Sequence, residues 1–269
     1  MLELNGAVGI LTGASRGIGP VIADHLSRAG VRLALVARSE DGLRETASVI
    51  ARRGPEPLVV PADVSDEGAQ RRVVDVVRAE LGPPALLVNN AALERVGRFQ
   101  EIPVEEIRRI LMVNLFGVEA LTRLVLPHLL AAGRGQVVNI GSVAGRVPYP
   151  YGVVNSSTKH GLTGFTWSLH EELRGTGVGV SVVHPTAVSD VGISARWPVR
   201  RPALLGGVGP DDVARAVLRC ARENRVEITV APVVERVADV VSAISPRLTS
   251  WVMRKTGVRD FLREVANRG

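Results

Sequence analysis

Seven short apolar runs alternate with longer segments of helical period along this chain of 269 residues. Runs such as AVGILTG at 7–13, VRLALVAR at 31–38 and ALLVNNA at 85–91 lack polar alternation, which indicates strands that are buried on both faces. Strands that alternate with helices are typical of a parallel sheet covered by helices on both sides, with right-handed crossovers. We therefore expect the α/β class, with a doubly wound, mainly parallel, seven-stranded sheet in a single domain.

The remaining segments complete the predicted order of elements. Further strands are predicted at 57–63, 135–142, 178–185 and 226–232, and helices at 18–29, 40–53, 66–81, 103–131, 155–174 and 210–223. These elements form a domain over 1–232. The Gly- and Pro-rich stretch 188–209 interrupts the alternation and is predicted to be a substrate lid within that domain. Residues 233–269 are predicted to be a helical extension whose apolar stripe packs on the core or a second subunit, rather than on a membrane surface.

Composition narrows the classes of partner and compartment. The chain carries 33 Lys and Arg against 27 Asp and Glu, but only two of these residues are lysines and the arginines are scattered. Since no basic block is interleaved with aromatic residues, we expect a solvated basic surface and no nucleic-acid partner. The single cysteine, Cys220, excludes an internal disulfide and fits a reducing compartment. Without a secretory signal or a stretch of about 20 apolar residues, we expect a cytoplasmic protein with no membrane span.

The segment TGASRGIG, at 12–19, follows the first predicted strand directly and opens the first predicted helix. Its three glycines permit a tight turn, a close approach of pyrophosphate to the backbone, and packing of the helix on the sheet. The helix amino terminus adds N–H donors and a positive dipole. The sequence therefore predicts a dinucleotide-binding turn formed by Gly13, Ser15, Arg16, Gly17, Ile18 and Gly19.

The end of the second predicted strand indicates which dinucleotide fits. An acidic residue there would bind a ribose 2′-hydroxyl, whereas a basic residue suits a 2′-phosphate. This strand ends in Arg38, and Arg16 stands in the glycine turn. Two guanidinium groups favour NADP(H) over NAD(H). After the third strand, Asp63 and Val64 are candidates to hold the adenine amino group and ring.

With these motifs in place, the chain resembles the short-chain dehydrogenase/reductase family over about residues 5–232. The resemblance rests on TGASRGIG, Asp63, the NNAA sequence at 89–92, Asn114, Ser142 and Lys159, which occur in the family's order and approximate spacing. It implies a Rossmann-type fold and hydride transfer between a nicotinamide cofactor and an alcohol or carbonyl. It also implies a homodimer or homotetramer that pairs through the helices at 103–131 and 155–174. Further cofactor contacts are implied at Asn89, Ala91, Lys159, Pro185 and Val188.

The resemblance also implies catalytic roles. Ser142 matches the serine that orients the substrate oxygen, Asn114 the asparagine that holds a water in the proton relay, and Lys159 the lysine that lowers a tyrosine pKa and binds the nicotinamide ribose. The position of that tyrosine, four residues before Lys159, is Asn155. A carboxamide donates hydrogen bonds but does not release a proton near neutral pH. We therefore expect redox activity to be impaired, since losing a positioned acid forfeits about 10² to 10⁴ in rate.

Two further departures from the family pattern lie near the same end of the cofactor, Ala92 in place of glycine and Asp190 in place of threonine. Three functions remain open. The first is a carbonyl reductase or alcohol dehydrogenase. In it Tyr151, one helical turn before Asn155, is a candidate replacement acid, although Tyr149, Pro150 and Tyr151 are more readily interpreted as an aromatic loop that faces the substrate. The second is non-redox chemistry on the same scaffold, such as a cyclase, dehydratase or isomerase, with NADP(H) structural or absent. The third is a non-catalytic interaction protein.

The substrate is expected to be a small apolar molecule, of which a cyclic or aromatic carbonyl compound is one form. The stretches 92–99, 145–153 and 188–209 follow predicted strand ends and are rich in Val, Pro, Arg and Trp, which favours a largely apolar pocket. No Cys, His and Asp cluster has the spacing of metal ligands, so no metal is expected.

Overall fold

The computed structural model describes residues 2–189, 191, 199 and 206–268. Its seven strands are β1 (Val8–Thr12), β2 (Arg32–Ala37), β3 (Leu58–Pro61), β4 (Leu86–Asn89), β5 (Gly135–Ile140), β6 (Val178–Pro185) and β7 (Glu227–Val230). They form one sheet in the order β3-β2-β1-β4-β5-β6-β7, and every neighbouring pair is parallel. The expected Rossmann-type, doubly wound sheet in a single domain is confirmed.

Ten α-helices are assigned within the described residues. They are α1 (Gly19–Arg28), α2 (Glu40–Ile50), α3 (Glu67–Glu80), α4 (Val104–Leu111), α5 (Gly117–Ala132), α6 (Val153–Glu172), α7 (Pro210–Glu223), α8 (Val233–Ile244), α9 (Pro246–Lys255) and α10 (Val258–Arg268). A π-helical turn, Met112–Phe116, joins α4 to α5, so the helix predicted at 103–131 is continuous but changes its hydrogen-bond pattern near Asn114. π-Helical turns are found mostly at functional sites.

The core lies on both faces of the sheet because successive strand residues point in opposite directions. Leu11 packs in the cluster formed with α1 and α7, whereas its neighbour Ile10 packs in the cluster formed with α3 and α5. Both side chains are fully buried. Cys220 lies within the first cluster, where burial raises the pKa of its thiol to about 12, so it is a core residue rather than a nucleophile.

The continuous helix Val104–Ala132 is long and apolar enough to cross a bilayer by length and composition alone. Of its most apolar window, 44 % is buried inside the fold, and core helices of globular proteins pass the same test of length and composition. This helix is therefore weak evidence for a span, and the expected absence of a membrane span stays a prediction.

The segment predicted as a lid lies mostly outside the described residues, which omit 190, 192–198 and 200–205. Its two ends are described, and they meet. Val188 and Val208 form an isolated parallel bridge, and the Ser189 N–H donates to the Val208 carbonyl at 2.9 Å. The insertion therefore leaves and rejoins the domain at one point beside the end of β6.

Arg146 ties the segment after β5 to the carboxyl-terminal part of the chain. Its Nε donates to Asp239 of α8 at 2.7 Å, its Nη1 lies 3.4 Å from Glu227 of β7, and its guanidinium lies 4.9 Å from the centre of the Trp167 ring. The three charged side chains are no more than 20 % exposed. Arg146 therefore neutralises two largely buried carboxylates.

We expect Arg146→Ala to lower the free energy of unfolding by about 3 to 5 kcal/mol, because it leaves the Glu227 and Asp239 carboxylates buried without their cation. Denaturant titration followed by circular dichroism measures the change. Arg174→Ala is the matched control, since Arg174 is 75 % exposed and its ion pair with Glu171 is of the surface type, worth under about 1 kcal/mol. Equal destabilisation by the two variants would contradict the anchoring role of Arg146.

Candidate active site

One cavity of about 780 Å³ lies at the carboxyl ends of the strands and joins the glycine turn to α6. This is the position at which open parallel sheets bind ligands, near the change of strand order between β1 and β4. Its walls include most of the residues implicated by the sequence: Gly13, Ser15, Arg16, Gly17, Ile18, Arg38, Asp63, Val64, Ala91, Ser142, Asn155, Lys159, Pro185 and Val188.

The glycine turn is open because side chains are absent where backbones approach. Gly13 and Gly17 have φ of 66° and 65°, values that glycine adopts without strain. A Cβ at Gly13 would lie 2.8 Å from the Ala91 Cα, and a Cβ at Gly19 would lie 2.1 Å from the Gly13 carbonyl oxygen. Gly13 and Gly17 line the cavity, whereas Gly19 lies behind it and allows α1 to pack against the turn.

Arg38, Arg16 and Asp63 form the charged end of the cavity. Arg38 is 52 % exposed, with its Nη1 3.9 Å from the Asp63 carboxylate. Partial burial opposes ionisation of Asp63, but hydrogen bonds from the Ser65 hydroxyl and N–H, at 2.7 and 2.9 Å, help to lower its pKa. This end therefore presents two cations and one carboxylate to a ligand.

Asn89 and Asn90 are neighbours with different roles. The Asn89 amide is buried and donates to Asn139 at 2.9 Å, within the sheet and away from the cavity. Asn90 lines the cavity and donates to the carbonyls of Thr12 and Gly13, both at 3.0 Å. The structure thus places Asn89 in a structural network, and Asn90 is the residue that fixes the glycine turn.

Asn114 lies in the π-helical turn and does not line the cavity itself. Its Oδ1 accepts from the Leu93 N–H and its Nδ2 donates to the Leu93 carbonyl, both at 2.8 Å. The same amide lies 3.4 Å from Thr158 of α6. Asn114 therefore holds the segment after β4 at a fixed distance from α6, and it does so through the backbone immediately before Glu94.

Ser142 lines the cavity at the end of β5. Its hydroxyl oxygen accepts a hydrogen bond from the Ala144 N–H at 3.1 Å, and the Ser142 carbonyl is 3.1 Å from Nδ1 of His184. His184 is fully buried on the side away from the cavity, with its other ring nitrogen 3.7 Å from Glu227. His184 is therefore a support for Ser142 rather than a wall of the cavity.

Asn155 and Lys159 lie one turn apart on α6, and both are buried except for 6 % of their surface. Lys159 Nζ donates to the Ile140 carbonyl at 2.7 Å, and Asn155 Nδ2 donates to Oε1 of Glu94 at 3.1 Å. The cavity wall at this point is thus an amide, an amine and a carboxyl group.

The charges of Glu94 and Lys159 influence each other. Burial raises the pKa of Glu94, although a hydrogen bond with Tyr149 and the charge of Lys159 oppose the rise. Burial lowers the pKa of Lys159 to about 8, opposed by the charge of Glu94. Glu94 is partly buried and keeps part of its surface open to the cavity. Both groups therefore have pKa values nearer neutrality than in water.

The structure does not place Tyr151 on the cavity. α6 begins at Val153 rather than near Pro150, and Tyr151 has a left-handed φ of 64° just before it. Its ring packs against the cluster formed by Phe261, Leu262 and Val265 of α10, and Tyr151 is not among the described residues that line the cavity. Tyr149 lines the cavity instead and hydrogen-bonds to Glu94.

The last residue of β6, Pro185, lines the cavity, and the loop that follows contributes Thr186, Ala187 and Val188 to the same wall. The Thr186 hydroxyl donates to Glu235 of α8 in a short hydrogen bond, which connects this loop to the helical extension. Asp190, the departure noted at the expected threonine position, lies outside the described residues.

Sequence reasoning missed two groups of cavity residues. The first is Glu94 with Tyr149, which lie in the stretches 92–99 and 145–153 predicted to line the pocket, although no chemical role was assigned to either residue. The second belongs to the helical extension, and its members are Val234, Val237, Val241, Val252, Phe261 and Leu262. Their helical spacing was visible in the sequence, but not that α8 to α10 cover the cavity.

The cavity can bind an elongated ligand with phosphates at the glycine turn, and can polarise an oxygen placed near Ser142 and Asn155. Residues 7–198 match the family model described as short chain dehydrogenase. The chain is a short-chain dehydrogenase. Ketoacyl reductase HetN of Nostoc sp. is a relative within this family, 35 % identical over 266 residues, which cover 97 % of this chain and 93 % of HetN.

Solved structures of short-chain dehydrogenases share the fold. A metagenomic short-chain oxidoreductase in complex with NADP is 34 % identical with a TM-score of 0.74, and it covers 86 % of this chain and 99 % of its own. A variant of actinorhodin polyketide ketoreductase with NADPH is 30 % identical with a TM-score of 0.78 and coverages of 86 % and 98 %. A 3-ketoacyl-(acyl-carrier-protein) reductase of Brucella melitensis with NADH is 26 % identical with a TM-score of 0.76 and coverages of 84 % and 97 %. As a member of this family, the chain is a short-chain oxidoreductase with ketoreductases among its relatives, and the non-redox alternative is not favoured.

Proposed function

We propose that this short-chain dehydrogenase is an NADP(H)-dependent reductase that interconverts a carbonyl and an alcohol on a small, largely apolar substrate. The observation that carries the proposal is the single cavity that joins the glycine turn and two arginines to Ser142, Asn155 and Lys159. The glycine turn and the two arginines would hold the phosphates of a bound nucleotide, and Ser142, Asn155 and Lys159 would face the carbonyl.

The residues present fit a dinucleotide. The positive φ of Gly13 and Gly17 and the missing Cβ at Gly13 leave a turn that phosphates can approach. Asp63, Val64 and Lys159 all line the cavity, where Asp63 and Val64 would hold the adenine and Lys159 the nicotinamide ribose. Bound NADPH supplies the hydride for the carbonyl carbon.

Arg16 and Arg38 support the preference for NADP(H). Both line the charged end of the cavity, and the Arg38 side chain is half exposed, with its Nη1 3.9 Å from the Asp63 carboxylate. A guanidinium recognises a phosphate with paired hydrogen bonds, which a 2′-hydroxyl does not match. Asp63, the nearest carboxylate, is engaged by Ser65 and is not placed to replace Arg38 on a ribose.

The substrate proposal rests on the apolar lining between Ser142 and the helical extension. Leu93, Val147, Val191, Val237, Phe261 and Leu262 belong to this part of the wall. HetN is named a ketoacyl reductase, and the solved relatives include ketoacyl and polyketide ketoreductases. A β-ketoacyl thioester and a cyclic ketone are therefore the probes that we choose.

Ser142 and Asn155 are proposed to orient the substrate oxygen. Because the Ser142 oxygen accepts from the Ala144 N–H, its own O–H is oriented as a donor, and the substrate oxygen is the proposed acceptor. The positive charge of Lys159 stabilises negative charge that develops nearby. Asn155 donates hydrogen bonds but no proton, so we propose that reduction is slower than in a chain with tyrosine at this position.

We also propose a homodimer or homotetramer built through the long helices. Apolar side chains stand on the outer surface of these helices: Val104, Leu111, Phe116, Leu130, Val153 and Trp167 are between 38 and 62 % exposed. A second copy of the chain would remove them from water.

Arg38→Asp tests the cofactor proposal. We expect the unmodified chain to bind NADPH about 10- to 100-fold more tightly than NADH, because a hydrogen bond to a charged group contributes about 1.5 to 3 kcal/mol. The Arg38→Asp variant should lose or reverse this preference, as measured by cofactor fluorescence. Arg52→Asp, an exposed residue just after α2, makes the same change in net charge away from the cavity and should keep the preference. Absence of NADPH binding to the unmodified chain would refute the proposed function.

A further inference from the structure

Proton delivery is the step that Asn155 leaves without a donor. Among the described residues, three carboxyl groups line the cavity: Asp63, Glu94 and Glu235. Asp63 lies at the charged end beside Arg38. Glu235, which belongs to α8, accepts a hydrogen bond from the Thr186 hydroxyl. Glu94 is the one in contact with Asn155, with 3.1 Å between Nδ2 and Oε1.

The position of Glu94 follows from the length of the side chain at 155. A tyrosine extends farther from the helix than an asparagine, so the amide stops short of the point that a phenol would reach. Glu94, in the loop after β4, places its Oε1 3.1 Å from the nitrogen at the end of that shorter side chain. We propose that Glu94 donates the proton to the substrate oxygen in this chain, an inference that rests on the proposed reduction of a carbonyl.

The surroundings of Glu94 support both of its protonation states. Asn114 fixes the backbone of Leu93 by two hydrogen bonds of 2.8 Å, so the residue that follows is held in place. When Glu94 is an acid, its burial disfavours early ionisation. When it becomes a carboxylate, hydrogen bonds from Asn155 and Tyr149 and the charge of Lys159 stabilise it. A carboxylic acid with a pKa moved toward neutrality is suited to general acid catalysis near pH 7.

The proposed step joins hydride addition at the carbonyl carbon to proton transfer at the carbonyl oxygen. The carbonyl carbon gains a hydride, the C=O double bond becomes a single bond, and its electron pair goes to the oxygen. The O–H bond of Glu94 breaks as a new O–H bond forms on the substrate oxygen, which yields the alcohol and a Glu94 carboxylate. Water entering the open cavity then returns a proton to Glu94. Tyr149 is a positioning residue for the carboxyl group, and Asn114 is a positioning residue for its backbone.

The first test needs no substrate. Infrared difference spectra of the whole protein, titrated between pH 5 and 9 with and without NADPH, detect the stretching band of a protonated carboxyl group. We expect a band that persists at pH 7 in the unmodified chain and in Glu105→Gln, whose exposed side chain lies on α4, and that is missing from Glu94→Gln. A Glu94 carboxyl that is already ionised at pH 5 would overturn the proposal, whether or not NADPH binds.

The second test separates proton donation from a structural role. Acetoacetyl-coenzyme A and 1-tetralone serve as probes, with NADPH oxidation as the measurement. We expect Glu94→Gln to lower turnover by about 10² to 10⁴-fold with NADPH affinity unchanged. In the Asn155→Tyr background, where a phenol supplies the proton, the same change should cost less than about 10-fold.

Equal losses in the two backgrounds would show that Glu94 acts only through the structure and would overturn the proposal. A loss in Tyr149→Phe with none in Glu94→Gln would assign the proton to Tyr149 and also overturn it. NADPH binding is measured separately for each variant. Failure of the unmodified chain to bind NADPH would refute the proposed function, while the infrared titration still decides the protonation state of Glu94.

Discussion

Gly13→Ala is expected to weaken NADPH binding by at least about 100-fold, because the added methyl group would distort the turn that phosphates approach. The new Cβ would lie 2.8 Å from the Ala91 Cα and 2.9 Å from its nitrogen, and the backbone at Gly13 has a φ of 66°. Backbone atoms move less readily than a flexible side chain, so the turn itself must shift and the approach of pyrophosphate is lost. Titration of the protein with NADPH, followed by fluorescence, measures the change.

Gly133→Ala is the matched control for Gly13→Ala. Gly133 also has a positive φ, 59°, at the end of α5, but a Cβ there would meet nothing within 4 Å. Both variants are therefore expected to lose about 1 to 3 kcal/mol of stability from backbone strain. Only Gly13→Ala should lose nucleotide affinity. If Gly133→Ala weakened NADPH binding to the same extent, strain rather than the shape of the turn would be the cause.

Lys159→Met is expected to lower turnover by about 10² to 10³-fold and NADPH affinity by about 10- to 100-fold. The variant removes the buried cation beside Asn155 and Glu94 and its hydrogen bond to the Ile140 carbonyl. Methionine keeps much of the length of the side chain, so the loss reports on charge and hydrogen bonding rather than on packing. Steady-state kinetics with the two carbonyl probes and cofactor fluorescence measure the two effects.

A second measurement separates the charge of Lys159 from its shape. The pKa of Lys159 is lowered from 10.5 to about 8 by burial, so between these values the unfolded chain binds a proton that the folded chain does not. The free energy of unfolding should therefore rise with pH across this window in the unmodified chain and rise less in Lys159→Met. Lys255→Met, at the exposed second lysine on α9, should leave turnover and this slope unchanged. If Lys159→Met had the same pH slope as the unmodified chain, folding would not lower the pKa of Lys159.

The sheet and the nucleotide end of the site were predictable from sequence because their causes are local. Apolar runs of strand length report burial on both faces, and the glycines of the turn at 12–19 report backbone contacts a few residues away. Arg38 was visible for the same reason, since it follows directly on a predicted strand. Gly13, Gly17 and Arg38 all line the cavity, as their spacing in the sequence indicated.

The substrate end was less predictable because its contacts join distant parts of the chain. Glu94 and Asn155 are separated by 61 residues, and nothing in either segment indicates the other. Asn89 and Asn90 differ by one position, and only the register of β4 decides which of them faces the cavity. The exclusion of Tyr151 depends on a left-handed backbone angle that tyrosine rarely adopts, which the sequence pattern did not indicate.

The bridge between Val188 and Val208 has a consequence for how this enzyme can change. Because the two ends of the insertion are held side by side by their own backbones, its length and composition can vary without a change in the spacing of β6 and α7. We therefore expect that the stretch between these two valines can be replaced with little change in the stability of the sheet.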